Sequence, residues 1–265
     1  MTKVFIGVGH GGKDAGAVGY LVEKDVNLKM AKACRDYLVK NGVEVKMSRV
    51  RDENDDISEE IRECNAFSPD LAIDVHNNAG GGDGFEILHS IAGGTSKKLA
   101  QNIEAEVKKI GQNSRGLKTK KNRSGSDYFG FLRCIKCPSV ICEGVFVDNK
   151  ADASAADTDA ECKTFGEAYA KGILKTLGVK YSGGTINISS NKNKAHKTDS
   201  GTSGSSFKVK VTADKLNIRS GAGIAFRVEG VIDDKGTYTI VQEKNGWGKL
   251  KSGAGWINLK YTKRV

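Results

Sequence analysis

Two histidines, His10 and His76, each close an apolar run, "KVFIGVGH" and "LAIDVH", and each opens onto a polar, glycine-rich stretch. Near-continuous apolar runs of this kind suit strands covered on both faces, and open α/β sheets keep their sites outside the carboxyl ends of such strands. Imidazoles at two strand ends can converge on one divalent cation, and a carboxylate would complete a three-ligand zinc site with a position open for water. Glu23 in "VEKDVNL" offers that carboxylate at the expected start of the first helix, where its charge also suits the helix dipole. Glu143 sits within the otherwise apolar "PSVICEGVFVDN". A carboxylate buried there without a partner is costly, so it reads as functional. Taken singly, each of the four has an ordinary structural reading; their joint placement at strand ends points to a site.

A rival reading comes from "GVGHGG", which satisfies G-x-G-x-x-G through Gly7, Gly9 and Gly12. In a dinucleotide site the third glycine packs against a helix whose N-terminus holds the pyrophosphate. Here "KDAGAVG" follows and starts no helix, and His10 would crowd the phosphates. The metal explains more of the residues.

The elements that must position these residues alternate between strand-like and helix-like patterns over residues 1–180, the signature of an α/β domain, expected as an open mixed sheet flanked by helices. "VEVKMSRV" alternates like a half-exposed strand. One helix begins near Glu23 with Leu28, Ala31 and Leu38 on one side; another carries Ile57, Ile61 and Cys64 behind an Asp56–Glu59 capping box. Two more are marked by Leu99, Ile103, Val107 and Ile110, and by Phe165, Tyr169, Ile173 and Leu177 before Gly178. Residues 181–206, rich in Ser, Gly, Asn, Thr and Lys, form an expected flexible linker. Residues 207–265 read as short alternating strands split by Asp-Lys-Gly, Asn-Gly and Ser-Gly turns, hence a small all-β barrel.

Composition narrows the classes further. Of the net charge of +10, residues 1–180 hold 27 basic against 26 acidic side chains, and residues 181–265 hold 15 against 6. A basic terminal module on a neutral body suggests an anionic partner. No run of about 18 apolar residues exists, so membrane insertion is not expected. The start of the chain shows no secretory signal pattern, which implies synthesis in the cytoplasm. Six irregularly spaced cysteines read as reduced thiols, and the lone Cys134–Cys137 pair does not make a zinc knuckle.

Four ordered blocks, "GHGGKDAGAVG" with "EKDVNL", then "SRVRDENDDISEEIRECNAFSPDLAIDVHNNA" and "GFLRCIKCPSVICEGVFVDN", resemble the zinc-dependent N-acetylmuramoyl-L-alanine amidases of the type-3 class, over residues 3–178. The resemblance implies a peptidoglycan hydrolase with His10, Glu23 and His76 as zinc ligands and Glu143 as catalytic base. "DVHNNA" departs from the commoner Ser-x-His-x-Asn-Ala wording, while His76 and Ala79 keep their places. Arg49, Asp52, Arg62 and Asn65 also match and read as scaffolding. Asn77 and Asn78 are open to a substrate contact or a turn role, His89 reads as a packing residue, and His196 lies in the linker. "KKNRSGSDYFGFL" mixes Lys120, Lys121 and Arg123 with Tyr128 and Phe129, either a groove for an anionic glycan-peptide or a solvated loop.

"KLNIRSGAG", "GWGKL" and "GWINLKYTKRV" resemble bacterial Src-homology-3-like domains that bind the cell wall, with Asn217, Arg219 and Ser220 in a structural block. Trp247 and Trp256 either line a cleft or pack the core. Residues 207–265 carry 12 basic and 5 acidic side chains, which suits anionic wall polymers. Nucleic acid is not expected, because aromatic and basic strand positions are not interleaved. The expectation is a phage endolysin that acts on the cell wall after release. The alternatives are a catalytically inactive wall-binding protein and a zinc peptidase of the stem peptide.

Overall fold

The apolar run after Lys3 forms the first strand of a sheet, and it is the sheet order that decides which strand ends become neighbours. The computed structural model describes residues 1–181, 206–224 and 226–265. The expected linker falls, apart from Tyr181 and Ser206, outside the described residues, and so does His196. The chain divides into two compact units, Met1–Tyr181 and Ser182–Val265.

In chain order the first unit runs β1 (Lys3–Val8), α1 (Glu23–Lys40), β2 (Glu44–Met47), α2 (Ile57–Phe67), β3 (Leu71–Asn78) and β4 (Phe85–His89). It continues through α3 (Gly94–Lys109), β5 (Ser114–Lys118), α4 (Gly130–Cys134), β6 (Ser139–Phe146), α5 (Lys150–Ala153) and α6 (Asp159–Leu177). The six strands lie in the order β2-β1-β3-β6-β4-β5. The first four positions are mutually parallel, whereas β4 runs antiparallel to β6 and parallel to β5, so the mixed α/β sheet expected from the sequence is present.

Both faces of the centre are covered, which explains why β1 and β3 read as continuous apolar runs. Helix α6 packs against both α1 and α3. On the other face Phe5, Ala72 and Ile141 meet Cys64 of α2 and Phe131 and Leu132 of α4. Helix α6 starts at a full capping box, Thr158 with Glu161, and stops at Gly178, whose φ of 70° is the left-handed conformation that glycine tolerates best. Two expectations about the helices shift. Asp56 does cap α2, but its carboxylate takes the amide of Ser58, and Glu59 pairs with Arg62 instead of closing a box. The buried stripe of α1 runs through Val26, Asn27, Met30, Ala31, Cys34 and Leu38, with Leu28 at its half-buried margin.

The second unit contains β7 (Phe207–Val211), β8 (Leu216–Arg219), β9 (Val228–Ile232), β10 (Thr237–Lys244), β11 (Trp247–Leu250), β12 (Trp256–Asn258) and β13 (Thr262–Arg264). They form one antiparallel sheet in the order β13-β7-β10-β11-β12-β8-β9 around Val209, Val211, Ile240, Leu250 and Ile257. Trp247 is buried and Trp256 half-buried, so the first tryptophan packs the core. Arg219 is also fully buried and donates to the Phe226 carbonyl. All six cysteines are free, and no helix among the described residues is long and apolar enough to cross a membrane.

Helices α1 and α6 meet closely at Gly166 of α6, where an added Cβ would collide with the Met30 carbonyl oxygen and lie 2.7 Å from the Cys34 nitrogen of α1. Gly166→Ala is therefore expected to destabilise the first unit by about 1–3 kcal/mol, seen as an earlier loss of helical signal in urea. An unchanged midpoint would show that α1 and α6 separate without cost.

Candidate metal centre

Strand β1 delivers the chain to Gly9, whose amide still donates to Val75 of β3, and the next residue turns sharply out of the sheet. That residue is His10, with φ of 62°. A side chain larger than glycine's held there stores roughly 1–3 kcal/mol, so the surroundings must impose it. Arg49, nearly fully buried, donates Nε to the Val8 carbonyl at 3.0 Å and Nη2 to the Lys24 carbonyl at 2.8 Å. Asp52 accepts from the Gly12 amide at 2.7 Å and from Lys24 Nζ at 2.8 Å. The loop is thus stapled to the first turn of α1, which makes Arg49 and Asp52 the scaffolding expected of them.

The staple brings three donors together. Glu23 Oε1 lies 3.3 Å from His10 Nε2 and 3.1 Å from His76 Nδ1. Donor atoms of His10, Glu23 and His76 all lie within 4.8 Å of one another. In a tetrahedral zinc site with bonds of about 2.0–2.2 Å, neighbouring donors stand about 3.3–3.6 Å apart. Glu23 stands close to that spacing from both imidazoles, and the three side chains offer two imidazoles and one carboxylate as the donor set.

Each imidazole is held by its other nitrogen. His10 Nδ1 lies 2.8 Å from Asp14 Oδ2, and His76 Nε2 lies 3.3 Å from Asp74 Oδ2. A carboxylate there fixes the N–H on the far side of the ring and leaves the lone pair facing the centre. Asp14 and Asp74 were not among the residues singled out from the sequence. Their spacing carried a signal nonetheless: Asp74 is two residues before His76, hence on the same face of β3.

Glu23 is held from behind. Its Oε2 accepts from the Ala17 amide at 2.8 Å and its Oε1 from the Asn77 amide at 3.1 Å. Asn77 Nδ2 donates to Asn27 Oδ1 at 2.7 Å, Asn27 Nδ2 to the Gly9 carbonyl at 2.9 Å, and Asn77 Oδ1 accepts from the Val145 amide at 2.9 Å. Both asparagines are buried, so Asn77 serves neither a turn nor a substrate but ties α1, β1, β3 and β6 together. Asn78 turns to Glu86 at 3.0 Å, and His89 is buried with Nδ1 on the Ser90 carbonyl, as a packing residue would be.

Glu143 pairs in register with His76 across β3 and β6, and both line a cavity of about 470 Å³ with His10 and Asp74. Burial pushes the Glu143 carboxyl up to about 7, against the opposing pull of His76. Burial also works to raise Glu23, but hydrogen bonds from both histidines outweigh it and hold that carboxyl well below its ordinary range. The cavity floor adds Asp55, pushed up to about 6 by burial, and Glu60, raised by burial and by the charge of Asp74. Glu60 Oε1 and Asp74 Oδ1 are buried without a hydrogen-bond partner among the described residues. Acidic side chains packed this closely around two imidazoles, with two of their oxygens unpartnered, make the pocket attractive to a cation, which would let them ionise.

The pattern that defines the family described as N-acetylmuramoyl-L-alanine amidase matches residues 4–175. The chain is 34% identical over 210 residues to the endolysin of Bacillus phage SPP1, covering 75% of each protein. It is 29% identical over 221 residues to a sporulation-specific N-acetylmuramoyl-L-alanine amidase of Bacillus subtilis, covering 82% of this chain and 79% of that one. Among solved structures, the catalytic domain of the amidase CwlV from Bacillus (Paenibacillus) polymyxa superposes with a TM-score of 0.62 at 25% identity, over 68% of this chain and 100% of that one.

Removing an outer carboxylate while keeping its shape should loosen the imidazole it holds. Asp74→Asn is expected to weaken zinc retention about 10–100-fold, measured by competition with a chromogenic chelator. Asp14→Asn should act in the same direction but less, because Asp14 is exposed. Unchanged retention in both variants would show that these contacts do not set the imidazoles.

Proposed function

Because the chain belongs to the N-acetylmuramoyl-L-alanine amidase family, we propose that it is a zinc-dependent peptidoglycan hydrolase that cuts the amide between the lactyl group of N-acetylmuramic acid and L-alanine. His10, Glu23 and His76 are its zinc ligands and Glu143 its catalytic base. The observation that carries this reading is the meeting of those three donors beside the cavity that His10, His76 and Glu143 line. Zinc, when bound, supplies Lewis acidity: it lowers the pKa of water to about 7 and polarises an amide carbonyl.

The remaining work belongs to side chains of this chain. Glu143, half-buried and opposite His76, is placed to take the proton of the attacking water and to return it to the departing L-alanine amine. A carboxyl near 7 exchanges a proton in both directions at neutral pH, which an ordinary exposed glutamate does poorly. Asp14 and Asp74 hold the imidazoles, and the Asn27–Asn77 pair holds Glu23, so the donor set is in place before substrate arrives.

The second unit is a bacterial Src-homology-3-like domain that holds the enzyme on the wall. Support comes from its antiparallel sheet and from its 12 basic against 5 acidic side chains over residues 207–265, which favour anionic wall polymers. A tethered domain raises the local concentration of the amidase unit at an insoluble substrate without adding a contact. Similarity to a phage endolysin supports the same role here: synthesis in the cytoplasm, then action on the wall after release.

Digestion of purified peptidoglycan is expected to release new L-alanine amino termini without new reducing sugars; cuts within the stem peptide would instead indicate a peptidase, and no products a binding protein. Glu143→Gln should retain zinc yet lose at least about 100-fold in hydrolysis, and full activity would remove Glu143 from the chemistry. A chain ending at residue 181 should bind walls more weakly, and the lost part should be the salt-sensitive part. Equal binding by the shortened chain would overturn the role of the second unit.

A further inference from the structure

Between β5 and α4 the chain makes a hairpin over residues 119–129 that the zinc chemistry does not use. Its arms meet at a bridge between Lys121 and Asp127, and the Tyr128 amide donates to the Lys120 carbonyl at 2.9 Å. The tip is built around Asn122, whose Oδ1 accepts from the amides of Ser124 and Ser126 at 3.0 and 3.1 Å. The base is anchored by buried Asp127, which accepts from Ser90 Oγ at 2.7 Å and from the Ile91 amide at 2.9 Å. Arg133 Nη1 then holds the carbonyls of Asp127 and Tyr128, each at 2.7 Å. A merely solvated loop needs no such anchoring.

What this rigid hairpin presents is an aromatic pair with a cation on it. Tyr128 is 50% exposed, and Phe129 meets it edge to face with ring centroids 5.1 Å apart. Phe129 also lines the cavity that holds Glu143. Lys120 Nζ stands 4.0 Å from the Tyr128 ring centre, and Lys121 and Arg123 are exposed on the same hairpin. None of these three cations has an acidic partner among the described residues. The cavity beside it is lined by acidic side chains, Asp55, Glu60 and Asp74. A substrate that carries carboxylates therefore finds its cationic partners at the hairpin and not among these groups.

We propose that this hairpin is a substrate-binding wall for a carboxylate-bearing glycopeptide: Tyr128 stacks against a sugar ring, while Lys120, Lys121 and Arg123 take carboxylates of the attached peptide. The proposal rests on the amidase reading and extends it by naming the surface beside the metal centre that holds the substrate. A preorganised aromatic loses little entropy on stacking, so its contribution appears in binding rather than in the chemical step.

The test is a calorimetric titration of the zinc-loaded full chain carrying Glu143→Gln with a purified soluble disaccharide-peptide from peptidoglycan, so that no turnover intervenes. Adding Tyr128→Ala should weaken binding about tenfold, and Tyr128→Phe should restore it, since the ring and not the hydroxyl stacks. Adding Lys120→Glu with Lys121→Glu should weaken binding at low salt, with the loss shrinking as salt rises. Binding within twofold of the parent in both the Tyr128→Ala and the lysine variants would overturn the wall. The digest reports separately on the bond cut: binding lost in Tyr128→Ala with cleavage at another bond keeps the wall and overturns the amidase reading. Amidase products with unaltered binding do the reverse.

Discussion

A single carboxylate, that of Glu23, lies buried between two imidazoles, and most of the first unit can be understood as the means of holding it there. Removed from water, an isolated charge of this kind costs several kcal/mol, so it must be met by partners placed in advance. The chain supplies two backbone amides, from Ala17 and Asn77, and both histidines. Those partners come from two stretches far apart in sequence, residues 10–17 and residues 76–77. The sheet order that makes β1 and β3 neighbours, with α1 packed against β3, is what brings them within reach.

The supporting layer shares this logic. Arg49 ties the turn at His10 to α1 by donating to the carbonyls of Val8 and Lys24, and the buried asparagine pair links the elements that carry the site. Buried polar networks of this type specify one arrangement when every member is satisfied. The unsatisfied oxygens of Glu60 and Asp74 are the exception, and they sit where a cation would be most strongly drawn. The hairpin at Tyr128 gives the rim the opposite character, so the pocket is polar in a directional sense: acidic below, basic and aromatic at one edge.

Much of this was legible in the sequence because the relevant signals are local. His10 and His76 close apolar runs, Glu23 opens α1, and Glu143 interrupts an apolar strand; each signal lies within a few residues of the side chain concerned. The mixed sheet followed from the alternation of patterns. Other features depend on contacts distant in sequence. Asn77 is chemically suited to a turn or a substrate, and only its packing against Asn27 of α1 and Val145 of β6 shows that it does neither. Asp14 and Asp74 became positioning groups only once ring orientations were known. Likewise the Tyr128 hairpin could not be told from a solvated loop until Ser90, Ile91 and Arg133 were seen to anchor it.

Whether His10, Glu23 and His76 share one ion can be read from zinc K-edge absorption on the purified full chain. One zinc per chain is expected, bound by nitrogen and oxygen at about 2.0–2.2 Å, with two imidazoles resolved and no sulfur. Sulfur bound to the ion, or an unchanged spectrum when His10 and His76 are both replaced by alanine, would place the ion elsewhere and rule out this centre.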